Sequence, residues 1–205
     1  MPKVSPEYKE EKRTQLILAS EKAFLRLGYS RTTVQDVMDE AGISRGGFYL
    51  YFANKADLFE SLLERRDNEI INQFKRLKVM GGPIAPVLIE LSMQTSPVEE
   101  EDRRRIAMIV EYHLEHRDDT QRRPHIMKRI NKFIDALCEV IQAGVDRGEF
   151  YPRLPISVIA KFLINAQDGW AVQIAVAGSQ DAVSADYGQA ITFFLRESLG
   201  IDRTE

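Results

Sequence analysis

Apolar residues recur at helical spacing along almost the whole chain, and no stretch of useful length alternates as a strand would. Over 8–28, Leu16, Ala19, Ala23 and Leu27 form one stripe, widened by Ile17 and Phe24, with Lys12, Arg13, Lys22 and Arg26 spread over the outer surface. Val34, Val37, Met38 and Ala41 then fall at i, i+3, i+4 and i+7. A long helix is predicted over 54–78 from Leu58, Phe59, Leu62, Leu63, Ile70, Ile71, Phe74 and Leu77, stopped by Gly81-Gly82-Pro83. A short apolar helix, Ile84–Met93, follows. Ser96 as cap, Pro97 at the first helical position and Glu99 at the third open the next one. It turns Ile106, Ile109, Val110 and Leu114 inward and is broken by Asp118-Asp119-Thr120. Met127, Ile130, Phe133, Ile134, Leu137, Ile141 and Val145 define a further long helix that Gly148 ends.

The last two helices differ in kind. Ile156–Ala177 is apolar nearly all round and so is predicted to be buried on more than one side. The helix over 182–199 places Tyr187, Ile191, Phe194 and Leu195 inward. Together they carry more apolar surface than a lone domain of this size can cover, which predicts a homodimer through them. The class is all-α: an N-terminal three-helix unit over 10–70 and a larger helical body over 71–205.

Local punctuation gives the region after residue 30 a definite shape. Thr33 with Asp36 is a capping box, Gly42 stands where a helix end favours the left-handed region, and Ser44 can cap a second helix. Helix, short glycine turn, helix is the unit that enters the DNA major groove. Arg45 can make the bidentate contact to guanine that is the commonest specific base readout. Gly46 and Gly47 each cost about 1 kcal/mol of helix propensity against Ala, which suits a backbone that must approach DNA closely. Phe48 and Phe52, at i and i+4, belong to the core of the unit. Asn54 with Asp57 caps the long helix.

Net charge is −3, which on its face disfavours nucleic acid. Its distribution does not: residues 1–55 hold nine Lys/Arg against seven Asp/Glu, leaving nineteen against twenty-four for the remainder. The single cysteine, Cys138, excludes an internal disulfide and a cysteine zinc site, and reads as a small buried group. The start is polar, without the apolar core of a secretory signal, and no apolar run spans a bilayer. A cytoplasmic protein without membrane contact is expected.

The run Thr32-Thr33-Val34-x-Asp36-Val37-x-x-x-Ala41-Gly42-Ile43-Ser44-Arg45-Gly46-x-Phe48-Tyr49-x-Tyr51-Phe52-x-Asn54-Lys55-x-x-Leu58 resembles the signature of the TetR family of bacterial transcriptional regulators. Asp146-Arg147-Gly148-Glu149-Phe150 is similar to a junction that recurs before the penultimate helix in many members. The resemblance implies a homodimer binding a palindromic operator in double-stranded DNA, with a four-helix interface from the last two helices and a body that takes a small-molecule effector. It implies phosphate contacts for Thr33, Tyr49 and Lys55, and base-facing positions for Ser44, Arg45, Gly46 and Gly47. Tyr51 stands where His is common, and a phenol still donates to phosphate. The implied effector pocket would draw on Met93, Tyr112, Phe133, Phe162 and Trp170, although core packing explains each equally well. The expected function is a repressor released by its effector; an activator, or a regulator controlled by a protein partner, is the alternative.

Glu111, His113, Glu115 and His116, with His125 from the next helix, invite a metal-dependent helical enzyme as the rival class. Neither H-E-x-x-H nor Glu-x-x-His is present, so no metal or other cofactor is expected. Glu99-Glu100-Glu101 followed by Arg103-Arg104-Arg105 reads as a solvated, ion-paired helix face. No Ser-His-Asp order, phosphate loop or paired carboxylates support catalysis.

Overall fold

The computed structural model describes residues 5–79, 81–93, 99–177 and 181–201. Among them run nine helices and no strand: α1 (Pro6–Leu27), α2 (Val34–Ala41), α3 (Arg45–Tyr49), α4 (Lys55–Val79), α5 (Ile84–Met93), α6 (Glu100–Glu115), α7 (Arg123–Asp146), α8 (Ile156–Ala177) and α9 (Asp181–Leu199). They fall into two compact units, Met1–Arg66 with Ala107–Asp118, and Asp67–Ile106 with Asp119–Glu205. The expected 10–70 span omits 107–118. No feature of linear order announces that the second half of α6 joins the N-terminal helices.

The first unit is built on aromatic packing. Phe24, Tyr29, Phe59 and Tyr112 are buried, with ring centroids 4.6 Å apart for Tyr29 and Phe59, 5.2 Å for Tyr29 and Tyr112, and 5.1 Å for Phe59 and Tyr112. The cluster explains why 107–118 belongs here: Tyr112 closes the core that Phe24 and Phe59 begin. Leu114 is exposed rather than inward, and Met108 and Tyr112, at i and i+4, take the buried face instead. Ser5 accepts a hydrogen bond from the Tyr8 amide to start α1, and Leu16, Ile17, Ala23 and Phe24 form its buried stripe.

The second unit packs Leu77, Ile84, Leu88, Leu137, Val140, Ile141, Phe150, Ile159, Leu163, Ile191, Leu195 and Leu199 into one cluster. The junction after α7 ties it together. Arg147 Nη2 donates to Lys78 O at 2.5 Å and Nη1 to Gly82 O at 3.1 Å, covering one carbonyl at the end of α4 and one in the turn before α5. Glu149 Oε2 accepts from the Ile84 amide at 2.5 Å and so caps α5. Phe150 seats against Gly144, where an added Cβ would lie 2.1 Å from its ring. Asp67 of α4 is buried in a bidentate pair with Arg129, at 2.5 and 3.0 Å.

Three further expectations change. Ile70 and Met127, placed on inner faces by periodicity, are exposed, because a 3.6-residue pattern tolerates apolar residues at the stripe's edge. Glu99 precedes α6 and supplies its carbonyl to the Arg103 amide at 3.0 Å, so the helix begins at Glu100. The rest of that start signal, Thr95 to Val98, lies outside the described residues. Third, α8 buries only one face in the single chain, with Ile159, Leu163, Trp170 and Ile174 inside. Val158, Phe162, Val172 and Val176 are left open, with Phe193 of α9 at 70% exposure.

Candidate nucleic-acid interface

The reading head is assembled from α2 and α3. Thr33 Oγ1 accepts from the Asp36 amide at 3.2 Å, while Asp36 Oδ2 accepts from the Thr33 amide at 2.8 Å and from the Thr33 hydroxyl at 2.6 Å. These hydrogen bonds, side chain before backbone, hold the Asp36 carboxyl below its ordinary pKa. Gly42 leaves α2 with φ +63°, a conformation costly for a residue with a Cβ. Ser44 Oγ then accepts from the Gly47 amide at 3.2 Å and opens α3.

One side of α3 is anchored and the other is open. Phe48 and Phe52 are buried with ring centroids 6.1 Å apart, which fixes the helix against the core. Ser44, Arg45, Gly46, Tyr49 and Leu50 face solvent, and Gly47 and Tyr51 are half-covered. The Arg45 guanidinium lies 5.8 Å from the Tyr49 ring centroid and has no acidic partner among the described residues. Neighbouring cations are committed: Arg26 pairs with Glu40 at 3.7 Å, Arg31 Nε donates to Leu27 O, and Arg13 donates to Ser61 Oγ at 2.8 Å. A Cβ on Gly46 would meet nothing within 4 Å, so the fold itself does not demand glycine there.

Lys55 differs from the expected phosphate contact. Its ammonium donates to Tyr29 O at 3.0 Å and reaches Ser30 O at 3.5 Å. It also pairs with Glu115 at 3.8 Å and lies 4.2 Å from the Tyr29 ring centroid. Two backbone carbonyls and one carboxylate inside the unit thus surround the ammonium. Three of the residues that suggested a metal are spent in the same place. Glu111 Oε2 accepts from the Ser30 amide at 2.9 Å, the Tyr29 hydroxyl and His116 Nε2 share a hydrogen bond of 2.8 Å, and Glu115 holds Lys55. The described residues contain no group of three or more His, Cys, Asp or Glu that could hold a metal ion. Tyr29, fully buried, was not singled out by periodicity; its position just after a helix-ending glycine was the available signal.

The candidate pocket residues are divided between the two units. Tyr112 belongs to the core of the first unit, its hydroxyl donating to Glu60 at 2.5 Å. Phe162 lies on the open face of α8 with its ring 4.0 Å from that of Phe194. Phe133 is half-buried, and Met93's side chain lies outside the described residues. Trp170 is buried, its ring 5.8 Å from Tyr187, and its indole N–H has no acceptor among the described residues. Burial and the nearby Asp168 charge push the Tyr187 hydroxyl up to about 12. No described helix is long and apolar enough to cross a membrane.

Comparison with known proteins agrees with this layout. Residues 16–62 match the family model described as bacterial regulatory proteins, tetR family, and residues 88–183 match the tetracyclin repressor-like C-terminal domain. An uncharacterized HTH-type transcriptional regulator of Bacillus subtilis, YfiR, is 27% identical over 201 residues, covering 98% of each chain. The fold is shared with Salmonella enterica GusR, at TM-score 0.70 and 17% identity over 95% of this chain and 99% of that one. It is also shared with Bacillus subtilis FadR solved with stearoyl-CoA, at TM-score 0.64 and 16% identity over 91% and 98%. A capped helix-turn-helix with one anchored and one open face, followed by a wholly helical body, is thus matched in both halves, and the chain belongs to the TetR family of bacterial transcriptional regulators, which are DNA-binding proteins and not enzymes.

Proposed function

We propose that the protein is a repressor that binds a palindromic operator as a homodimer and leaves it when a small molecule occupies the body. The observation that carries the reading is the open face of α3: an unpaired Arg45, a glycine the fold does not need, and phenols at its edge. Ser44, Arg45, Gly46 and Gly47 face base edges, with Arg45 as the guanine donor. Thr33, Tyr49 and Tyr51 flank them against phosphates, fixing register without reading sequence. Lys55 acts one step back, holding the 29–30 turn and the start of α4 in place.

Two such helices about 34–36 Å apart would enter successive major grooves. The uncovered face of α8 and α9, with Val158, Phe162, Val172, Val176 and Phe193, supports a second copy as what sets that spacing. Both α4 and α6 contribute residues to each unit, so a conformer favoured by an effector has a route to the reading head. The effector acts only through its differential affinity for the two conformers. Trp170, with its unmet N–H, and Phe133 are the candidate contacts that remain. An acyl-CoA, which the FadR neighbour holds, belongs in the first ligand screen. A DNA-bound regulator works in the cytoplasm.

Gel-shift titrations on the DNA flanking the protein's own gene test the reading. Retardation competed by that DNA and not by random DNA supports it. Equal competition by both at moderate salt would remove its basis.

A further inference from the structure

We propose that Leu50 reads a thymine methyl group in the operator, as a second specificity determinant beside Arg45. The inference rests on α3 lying in the major groove, as in the function proposed above. Leu50 caps the C-terminal end of α3 and is 80% exposed, more than any other large apolar side chain described in the first unit. Its neighbours explain why nothing covers it. The residue one turn earlier on the same face is Gly46, which has no side chain to lie against it. Phe48 and Phe52 point to the other side and are buried. Tyr49 is overlain by Arg45, so Leu50 is the uncovered apolar side chain of the open strip.

A leucine exposed there leaves its apolar surface against water in the free protein, and nothing among the described residues covers it. The strip otherwise offers polar contacts. In the major groove the apolar group on the base edges is the thymine C5-methyl, which an aliphatic side chain can cover. Gly46 and Leu50 then form one device: the missing side chain admits the base edge, and the leucine one turn on meets it.

The test begins with an operator selected from random duplexes by the wild-type protein. Each thymine is then replaced singly by deoxyuridine, which removes the methyl and keeps the base pair. Burying one such group is worth about fourfold in affinity, so one thymine per half-site should show about a fourfold loss, and its symmetric pair about 15-fold. Leu50→Ala, which removes the leucine from both half-sites, should bind the unmodified operator about 15-fold more weakly and be indifferent to deoxyuridine at that position alone. Leu50→Met, which keeps an apolar reach, should retain the dependence. Unchanged thermal unfolding and unchanged binding to random DNA establish that the variants are folded. The proposal is overturned if Leu50→Ala keeps the full deoxyuridine profile, if its loss is equal on all DNA, or if no thymine in the selected site shows methyl dependence. Failure to select any operator would instead overturn the placement of α3 in the groove.

Discussion

Gly46→Ala separates the demands of the fold from those of DNA, because the two predict opposite signs. The backbone at Gly46 is not among those with positive φ, and an added Cβ meets no atom within 4 Å. Alanine therefore introduces no strain and removes unfolded-state entropy. A helix-interior Gly→Ala gains about 0.5–1 kcal/mol; at the second position of a five-residue helix about 0.5 kcal/mol is expected. For a chain of this size that corresponds to a melting point higher by about 1–2 °C. In the proposed complex with DNA the same methyl would stand where the backbone comes closest to the base edges. Forcing one extra carbon into a closely packed contact costs about 1–3 kcal/mol, or about 5- to 150-fold per half-site. Thermal unfolding by circular dichroism and fluorescence anisotropy on a selected operator at fixed salt give the two numbers. A variant that melts higher and binds more weakly is the expected result. Unchanged affinity would refute the close approach, and a lower melting point would refute the claim that the fold leaves this position free.

Further outcomes follow from the same geometry. Arg45→Ala should relax sequence preference at one base pair, whereas Lys55→Met should lower the melting point and leave the slope of log Kd against log salt unchanged; a slope reduced by about 1 would show that Lys55 swings out to a phosphate. Thr33→Val removes a helix cap worth about 1 kcal/mol. Because the Asp36 pKa lies below its unfolded value, that carboxylate stabilises the fold above the ordinary carboxyl range and loses this contribution as pH falls through the folded value. Acid titration of Thr33→Val should show less of that dependence than wild type. Phe193→Glu should give a folded monomer by sedimentation with weakened operator binding, and a dimer with full affinity would send the interface elsewhere. Gly144→Ala should destabilise the body by about 1–3 kcal/mol in chemical unfolding, since the Phe150 ring would have to move.

Most local structure was legible from neighbouring residues alone. Thr33 with Asp36, Gly42 and Ser44 specify α2, the turn and the start of α3 through bonds that span three residues or fewer, so the boundaries of α2 and the role of each cap were legible before any packing was known. Phe48 and Phe52 at i and i+4 declared the anchored side in the same way. Contacts between residues far apart in the chain emerged from the packing of whole helices. Ser30 and Glu111 are 81 positions apart, and Tyr29 and His116 are 87. No local pattern can place a mid-chain helix against the first turn of the head, and residues that looked like metal ligands proved to be the fasteners of that contact. Lys55 turned inward for the same reason: its acceptors, Tyr29 O and Glu115, come from outside its own helix. Leu50 is the complementary case. Periodicity assigns a leucine to a core by default, and only the positions of Gly46, Phe48 and Tyr49 around it leave this one facing out.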